Sequence, residues 1–123
     1  MFHLDHVHIV TDDLDGVGDF LRDIIGAAEV RRAGADDSGQ YVLDGARILL
    51  RRRRDGEELA DGSVRRAGLD HLGLRVDDFE AAMARLLEAG CVLQSGPNRV
   101  ADGLVTGFFM GPGGLFLEVL QRS

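Results

Sequence analysis

The sequence predicts an α+β protein made of two βαβββ modules that form a cupped mixed sheet. Two observations predict this fold: a stretch near the N-terminus recurs half a chain later, and the same succession of apolar periodicities follows each copy. The 123 residues, 45% of them hydrophobic, are enough to bury the core of one ordinary domain. We therefore expect a single domain of two repeats, about 1–54 and 67–123, joined by a polar link at 55–66.

The repeat is visible letter by letter. Residues 4–14 read LDHVHIVTDDL, and residues 69–79 read LDHLGLRVDDF. Five of the eleven aligned pairs are identical: Leu4/Leu69, Asp5/Asp70, His6/His71, Asp12/Asp77 and Asp13/Asp78. Self-similarity at a fixed spacing indicates a duplicated structural unit.

Each copy predicts a strand followed by a helix. Apolar residues alternate with polar ones after Asp5 and Asp70, which is the period of a strand. Asp12 and Asp77 stand where a helix would begin, and Asp77 followed by Glu80 has the spacing of a capping box. Apolar residues at helical spacing follow in both copies, and each helix is expected to end at a glycine.

Three further strands are predicted in each half. Their ranges are 28–32, 40–43 and 46–52 in the first half, and 91–94, 104–110 and 115–121 in the second. Asp44-Gly45 predicts a tight hairpin turn, and residues 111–114 predict a second turn. The stretches 96–98 and 102–103 carry the residues of a loop.

Composition excludes several classes of function. The net charge of −7 disfavours nucleic acid and anionic membranes as partners, since both would repel the protein. No apolar run is long enough for a membrane-spanning helix. The single Cys91 cannot form an intramolecular disulfide, so we expect a reducing, cytoplasmic location. The run Arg51–Arg54 is followed by acidic residues and has no interleaved aromatic, so we interpret it as a solvated stretch.

Histidines mark one face of the two predicted first strands. Because alternate residues face the helix, His6 and His8 point to the opposite face, and so does His71. A single strand histidine is more often a hydrogen-bonded structural residue. Two histidines at equivalent positions of a repeat, His6 and His71, weaken that interpretation and leave a structural role and a metal site as equal alternatives.

The last predicted strand supplies a carboxylate as a third candidate ligand. Glu118 lies amid apolar residues, where an ionised side chain must be neutralised unless it faces solvent at an edge. Two imidazoles and one carboxylate suit a divalent metal ion of the Fe, Zn, Co, Ni or Mn type. The candidate metal ligands are therefore His6, His71 and Glu118.

The paired halves, the two Leu-Asp-His strand starts and the C-terminal GPGGLFLEVLQ resemble the vicinal oxygen chelate superfamily. That superfamily includes glyoxalase I, methylmalonyl-CoA epimerase, extradiol dioxygenases and bleomycin-resistance proteins. The resemblance implies a metal in a cup formed by both halves, and by position His6, His71 and Glu118 match three family ligands. The fourth family ligand comes from the last strand of the first half, where this chain has Leu49. The departure leaves a three-residue site, as in the dioxygenase branch, and counts against a glyoxalase I activity.

Further side chains are candidates for the pocket. His8 has the ordinary pKa of a general acid or base, or it lines the pocket without a chemical role. Arg47 lies two residues before Leu49 in the same predicted strand and so faces the same side. It either enters the cup to bind an anionic group or stays on the outer rim. Leu49 and Phe116, with Gln40 and Tyr41, are expected to line the substrate pocket. Asp5 and Asp70 are expected to face away from the site and to be structural.

The leading hypothesis is a metal-dependent lyase or isomerase that abstracts a proton next to a carbonyl, as an epimerase does. His8 or Glu118 would move the proton, and the metal would stabilise the enolate. The alternatives are a non-haem Fe(II) dioxygenase with a 2-His-1-carboxylate site and a metal-free drug- or ligand-binding resistance protein. The expected partners are a small carbonyl-bearing or aromatic metabolite and a second copy in a homodimer.

Overall fold

The computed structural model describes residues 1–34, 37–59, 67–100 and 103–123. It divides the chain into two compact units, Met1–Leu59 and Ala60–Ser123. Most of the link predicted at 55–66 and Asp102 of the predicted loop lie outside the described residues. None of the helices in the described ranges is long and apolar enough to cross a membrane.

The first unit has the predicted βαβββ order. Its elements are β1 (His6–Thr11), α1 (Leu14–Asp19), β2 (Ala28–Arg31), β3 (Ser38–Leu43) and β4 (Ala46–Arg52), and α1 continues as a π-helical segment over Phe20–Ile25. The sheet order is β1-β4-β3-β2, in which β1 and β4 are parallel and the other pairs antiparallel.

The second unit repeats this order. Its elements are β5 (Leu72–Arg75), α2 (Phe79–Glu88), β6 (Val92–Val100), β7 (Leu104–Met110) and β8 (Phe116–Arg122). The sheet order is β5-β8-β7-β6, again with the first two strands parallel. The prediction of two βαβββ modules with mixed sheets is confirmed.

Helix packing fixes which sheet face is free in the first unit. Leu14, Val17 and Leu21 pack in one buried cluster with Ile48 and Leu50 of β4. Residues 47, 49 and 51 of the same strand therefore point to the opposite face. The face that carries His6 and His8 is thus the one the helix leaves uncovered, as the alternation in the sequence predicts.

Glycines are required at two places in the first unit. The hairpin turn between β3 and β4 has positive φ at both Asp44 (50°) and Gly45 (79°), the pattern of the predicted tight turn. In α1, a Cβ on Gly18 would collide with the hydroxyl of Tyr41. The missing side chain therefore lets the helix lie close to β3.

Three expectations from the sequence are wrong in detail. The helices are capped by Asp13 and Asp78, whose carboxylates accept from backbone N–H groups three residues later, rather than by Asp12 and Asp77. Asp77 and Glu80 therefore do not form a capping box, because the cap lies one residue further on.

The other two corrections concern β6 and Tyr41. Residues 96–98 belong to β6 rather than to a loop, since a register shift against β7 between Ser95 and Asn98 accommodates the glycine and proline within the strand. Tyr41 does not line a pocket: it is buried in the helix-side core, and its hydroxyl accepts a hydrogen bond from the N–H of Ala33 (3.2 Å).

Candidate functional site

The second unit brings two of the predicted ligands together. His71 precedes β5, and Glu118 lies in the adjacent parallel strand β8. The Nε2 atom of His71 lies 3.0 Å from Oε2 of Glu118. Both side chains are partly exposed, at 27% and 23%. The site can therefore be reached from solvent.

Thr106 of β7 holds the other oxygen of Glu118. Its hydroxyl donates to Oε1 at 2.7 Å. The glutamate predicted to need neutralisation therefore has two partners within the unit, Thr106 and His71. Both oxygens are held by separate side chains, which fixes the orientation of the carboxylate.

The aspartates before the two repeat histidines each contact the imidazole that follows them. Oδ2 of Asp70 lies 2.9 Å from Nδ1 of His71, and Oδ2 of Asp5 lies 2.7 Å from Nδ1 of His6. A carboxylate on Nδ1 orients the ring and directs Nε2 away from it, as carboxylates do for metal-bound histidines. The expectation that these aspartates face away is wrong because both precede the regular strands, so strand alternation does not constrain them.

Hydrogen bonds shift the pKa values of His71 and Asp5. The hydrogen bond with Asp70, and to a lesser degree that with Glu118, raises the pKa of His71 against the opposing effect of partial burial. In the first unit, the hydrogen bond with His6 and the charge of Arg47 lower the pKa of Asp5.

Two phenylalanines border His71. The ring of Phe108 meets the His71 ring edge to face with centroids 5.2 Å apart, and the ring of Phe116 lies 6.1 Å away. The two phenylalanine rings also contact each other at 5.7 Å. The predicted pocket residue Phe116 is therefore beside the histidine, together with Phe108, which the sequence analysis did not single out.

The first unit presents a different set of side chains at the equivalent positions. His6 and His8 project from the same face of β1, with ring centroids 6.0 Å apart. Arg47 lies on that face opposite His6 and is 3.6 Å from Asp5, as an ion pair. Burial, followed by the charges of Arg51, His6 and Arg54, lowers the pKa of His8.

Strand register shows where the fourth ligand is missing. Glu118 lies opposite Gly73 in the pair β5–β8, and Leu49 lies opposite His8 in the pair β1–β4. Gly73 and His8 are equivalent in the repeat. Leu49 therefore occupies the position of Glu118 in the first unit and has no donor atom to offer.

The donor chemistry of the second unit fits a divalent metal ion. Imidazole nitrogen and carboxylate oxygen are both common ligands of such ions, and here Nε2 of His71 and Oε2 of Glu118 lie side by side. Across the described ranges, however, no three His, Cys, Asp or Glu side chains are grouped to hold a metal. His71 and Glu118 are thus two predicted ligands that contact each other within the second unit.

Sequence reasoning missed the residues that support the pair. Thr106 and Phe108 alternate on β7, and Phe108 is the register partner of Glu118. Because the two residues are two positions apart in a predicted strand, they are expected on the same face, but assigning them to the site needs the pairing of β7 with β8.

The predicted pocket residue Gln40 lies in β3 of the first unit, opposite Leu49 and on the face away from the core.

Comparisons with known proteins agree with the fold. The family model for the Glyoxalase/Bleomycin resistance protein/Dioxygenase superfamily matches residues 3–119. Comparison with curated protein sequences gave no match.

Several solved structures resemble the whole chain. A glyoxalase family protein from Bacillus cereus has a TM-score of 0.83 at 19% identity, covering 99% of this chain and 95% of its own. A glyoxalase/dioxygenase from Nostoc punctiforme has a TM-score of 0.82 at 16% identity, covering 98% and 91%. A lactoylglutathione lyase from Agrobacterium tumefaciens has a TM-score of 0.70 at 19% identity, covering 97% and 92%. At these identities the likeness concerns the fold.

Proposed function

Since the chain belongs to the Glyoxalase/Bleomycin resistance protein/Dioxygenase superfamily, we propose that it is a metal-dependent enzyme of the lyase or isomerase type. The reaction would remove a proton from the carbon next to a carbonyl group. The observation that supports this proposal is the arrangement of Glu118, held by Thr106 on one oxygen and facing His71 with the other.

His71 and Glu118 would hold the metal through Nε2 and Oε2. Asp70 orients the His71 ring, and the phenylalanines at 108 and 116 give it an apolar border. His6 is the proposed third ligand, and it rests on its equivalence to His71 in the repeat and on the matching Asp5 contact. When bound, a divalent cation supplies Lewis acidity that stabilises charge developing on the carbonyl oxygen.

The proton would be taken by Glu118. Its Oε1 atom accepts the Thr106 hydroxyl and keeps a second lone pair, because each carboxylate oxygen can accept twice. This fixed oxygen is the proposed base, and Thr106 positions it. His8, on the free face of the first unit, remains the second candidate for moving a proton.

Hydrogen exchange tests the reaction. Two-oxo acids and acyl thioesters are incubated anaerobically in deuterated water with metal-loaded protein, and deuterium uptake next to the carbonyl is followed by NMR. We expect Glu118→Gln to slow exchange by about 10²- to 10⁴-fold, the usual contribution of a general base. Glu88→Gln, at the exposed end of α2, should exchange like the parent protein. Equal rates for the parent and Glu118→Gln would contradict the proposal.

A dioxygenase is the second candidate, and Leu49 favours it. Without a fourth protein ligand, two histidines and one carboxylate would leave open positions, as in non-haem Fe(II) oxygenases. Oxygen uptake by the Fe(II)-loaded protein with an aromatic diol, and no deuterium exchange in the anaerobic assay, would favour this reaction over the isomerase.

A further inference from the structure

The first unit contains a cavity of about 470 Å³. It lies at the ends of β3 and β4, with His8 and Leu49 in one wall. Its lining includes five arginines, namely Arg31, Arg51, Arg52, Arg53 and Arg54. Asp37 is its one acidic lining residue in the part of the chain that is described. The volume is in the range of small-molecule sites.

Three of these arginines are neutralised by ion pairs. Arg51 makes two hydrogen bonds to the carboxylate of Glu57, at 2.7 and 2.8 Å. Arg52 donates to Asp37 at 2.9 Å. Arg53 donates to Asp12 at 3.0 Å. These ion pairs hold the three guanidinium groups in place and largely neutralise their charge.

The other two arginines are different. Arg31 donates to the hydroxyl of Ser38 at 3.1 Å, and among the described residues neither its guanidinium nor that of Arg54 forms an ion pair. Among the described residues, Arg31 and Arg54 thus line the cavity without a carboxylate partner, whereas each of the other three arginines has one. This cluster of arginines lies in a protein whose net charge is −7, so it is a local feature and not a property of the whole surface.

We propose that this cavity binds the oxyanionic group of a small molecule, a carboxylate or a phosphate, through Arg31 and Arg54. Guanidinium groups match the planar, two-oxygen geometry of these anions. The apolar side chain of Leu49 would contact the remainder of the ligand. Because His8 and Leu49 share the free face with His6, the ligand would be the anionic end of the substrate; this identification rests on the proposed function, whereas anion binding does not.

The test is an NMR titration of the full-length, chelator-treated protein at constant ionic strength. Inorganic phosphate and malonate are the two probes, and the amide of Gly39, which lines the cavity, is the local reporter. We expect saturable shifts for at least one probe. The probe with the lower Kd shows whether the cavity prefers a phosphate or a carboxylate group.

Variants separate this site from general charge. Arg31→Gln and Arg54→Gln should each weaken binding about tenfold, the loss expected for one charged hydrogen bond. Arg99→Gln is the matched control, since Arg99 is 77% exposed in the second unit and outside the cavity. Its affinity should equal that of the parent.

Three results would overturn the anion site. They are the absence of saturable shifts, equal responses to phosphate, malonate and chloride, and equal affinity in Arg31→Gln, Arg54→Gln and the parent. A fourth result that would overturn it is tighter binding of a DNA oligonucleotide than of either small anion. Because the titration uses neither metal nor turnover, its failure leaves the proposed reaction to the deuterium-exchange test.

Discussion

Leu49 lies opposite His8 in the parallel pair β1–β4, where the second unit has Glu118 opposite Gly73. One half of the repeat thus carries a glycine and a carboxylate, and the other carries an imidazole and an apolar side chain. Compared with the second unit, the first unit therefore lacks a carboxylate at this position and has an additional imidazole on the neighbouring strand.

Leu49→Glu should restore the donor that the first unit lacks. The new carboxylate would project from the same face as His6 and His8, so we expect affinity for Co²⁺ or Mn²⁺ to rise by about tenfold or more, at least the effect of an outer ligand partner. Metal titration of the variant measures the change, and Leu49→Met serves as the apolar control. If both variants bind metal like the parent protein, position 49 does not face the metal.

Asp70→Asn should weaken metal binding without unfolding the protein. The carboxylate orients His71 through Nδ1, and loss of such a partner costs about 10- to 100-fold in affinity. The side chain is 66% exposed, so the free energy of unfolding should change by no more than about 1 kcal/mol. The same metal titration and a urea melt measure the two effects.

Asp77→Asn is the matched control for Asp70→Asn. It removes the same charge a few residues further along the repeat, where the described structure shows no hydrogen bond donated to that carboxylate. An equal loss of metal affinity in both variants would mean that Asp70 acts only through its charge.

Asp78→Ala should destabilise the second unit by about 1 kcal/mol. Its carboxylate accepts the N–H of Ala81 and caps α2, and loss of such a cap typically costs this amount. Asp77→Ala should change the free energy of unfolding much less, as measured by urea denaturation. A larger loss of stability in Asp77→Ala than in Asp78→Ala would instead support Asp77 as the helix cap, as the sequence predicts.

The contribution of Glu57 to stability should disappear in acid. Its hydrogen bond with Arg51, followed by that with the Arg54 N–H, lowers its pKa to about 2. A carboxyl group whose pKa is lowered by folding stabilises the protein above its ordinary pKa, 4.5, and loses this contribution as the pH falls toward 2. The difference in unfolding free energy between the parent and Glu57→Gln should therefore shrink from pH 6 toward pH 3 in urea melts; a constant difference would rule out the ion pair as its source.

The sequence predicts the modules well because repetition and periodicity are local properties. The strands at Ala46–Arg52 and Leu104–Met110 have the predicted bounds, and Gly26 and Gly90 end their helices with positive φ. The same alternation places His6 and His8 on the face that α1 leaves free. These features depend on neighbours within a few residues, which a single sequence records.

What the sequence does not predict depends on contacts between distant residues. Thr106 reaches Glu118 only because β7 pairs with β8. Asp70 contacts His71 because it precedes the regular strand, a boundary that alternation alone cannot locate. Pro97 stays within β6 because bulges shift the pairing, whereas the dipeptide Gly96-Pro97 is more typical of a loop.

Co²⁺ titration of the full-length protein tests the central claim most directly, with absorption spectroscopy as the readout. We expect one saturable site in the parent protein, and a loss of affinity of two orders of magnitude or more in both His71→Ala and Glu118→Gln, with unchanged far-ultraviolet circular dichroism. His3→Ala, outside the strands, should bind like the parent. Equal Co²⁺ affinity in the parent, His71→Ala and Glu118→Gln would contradict the account.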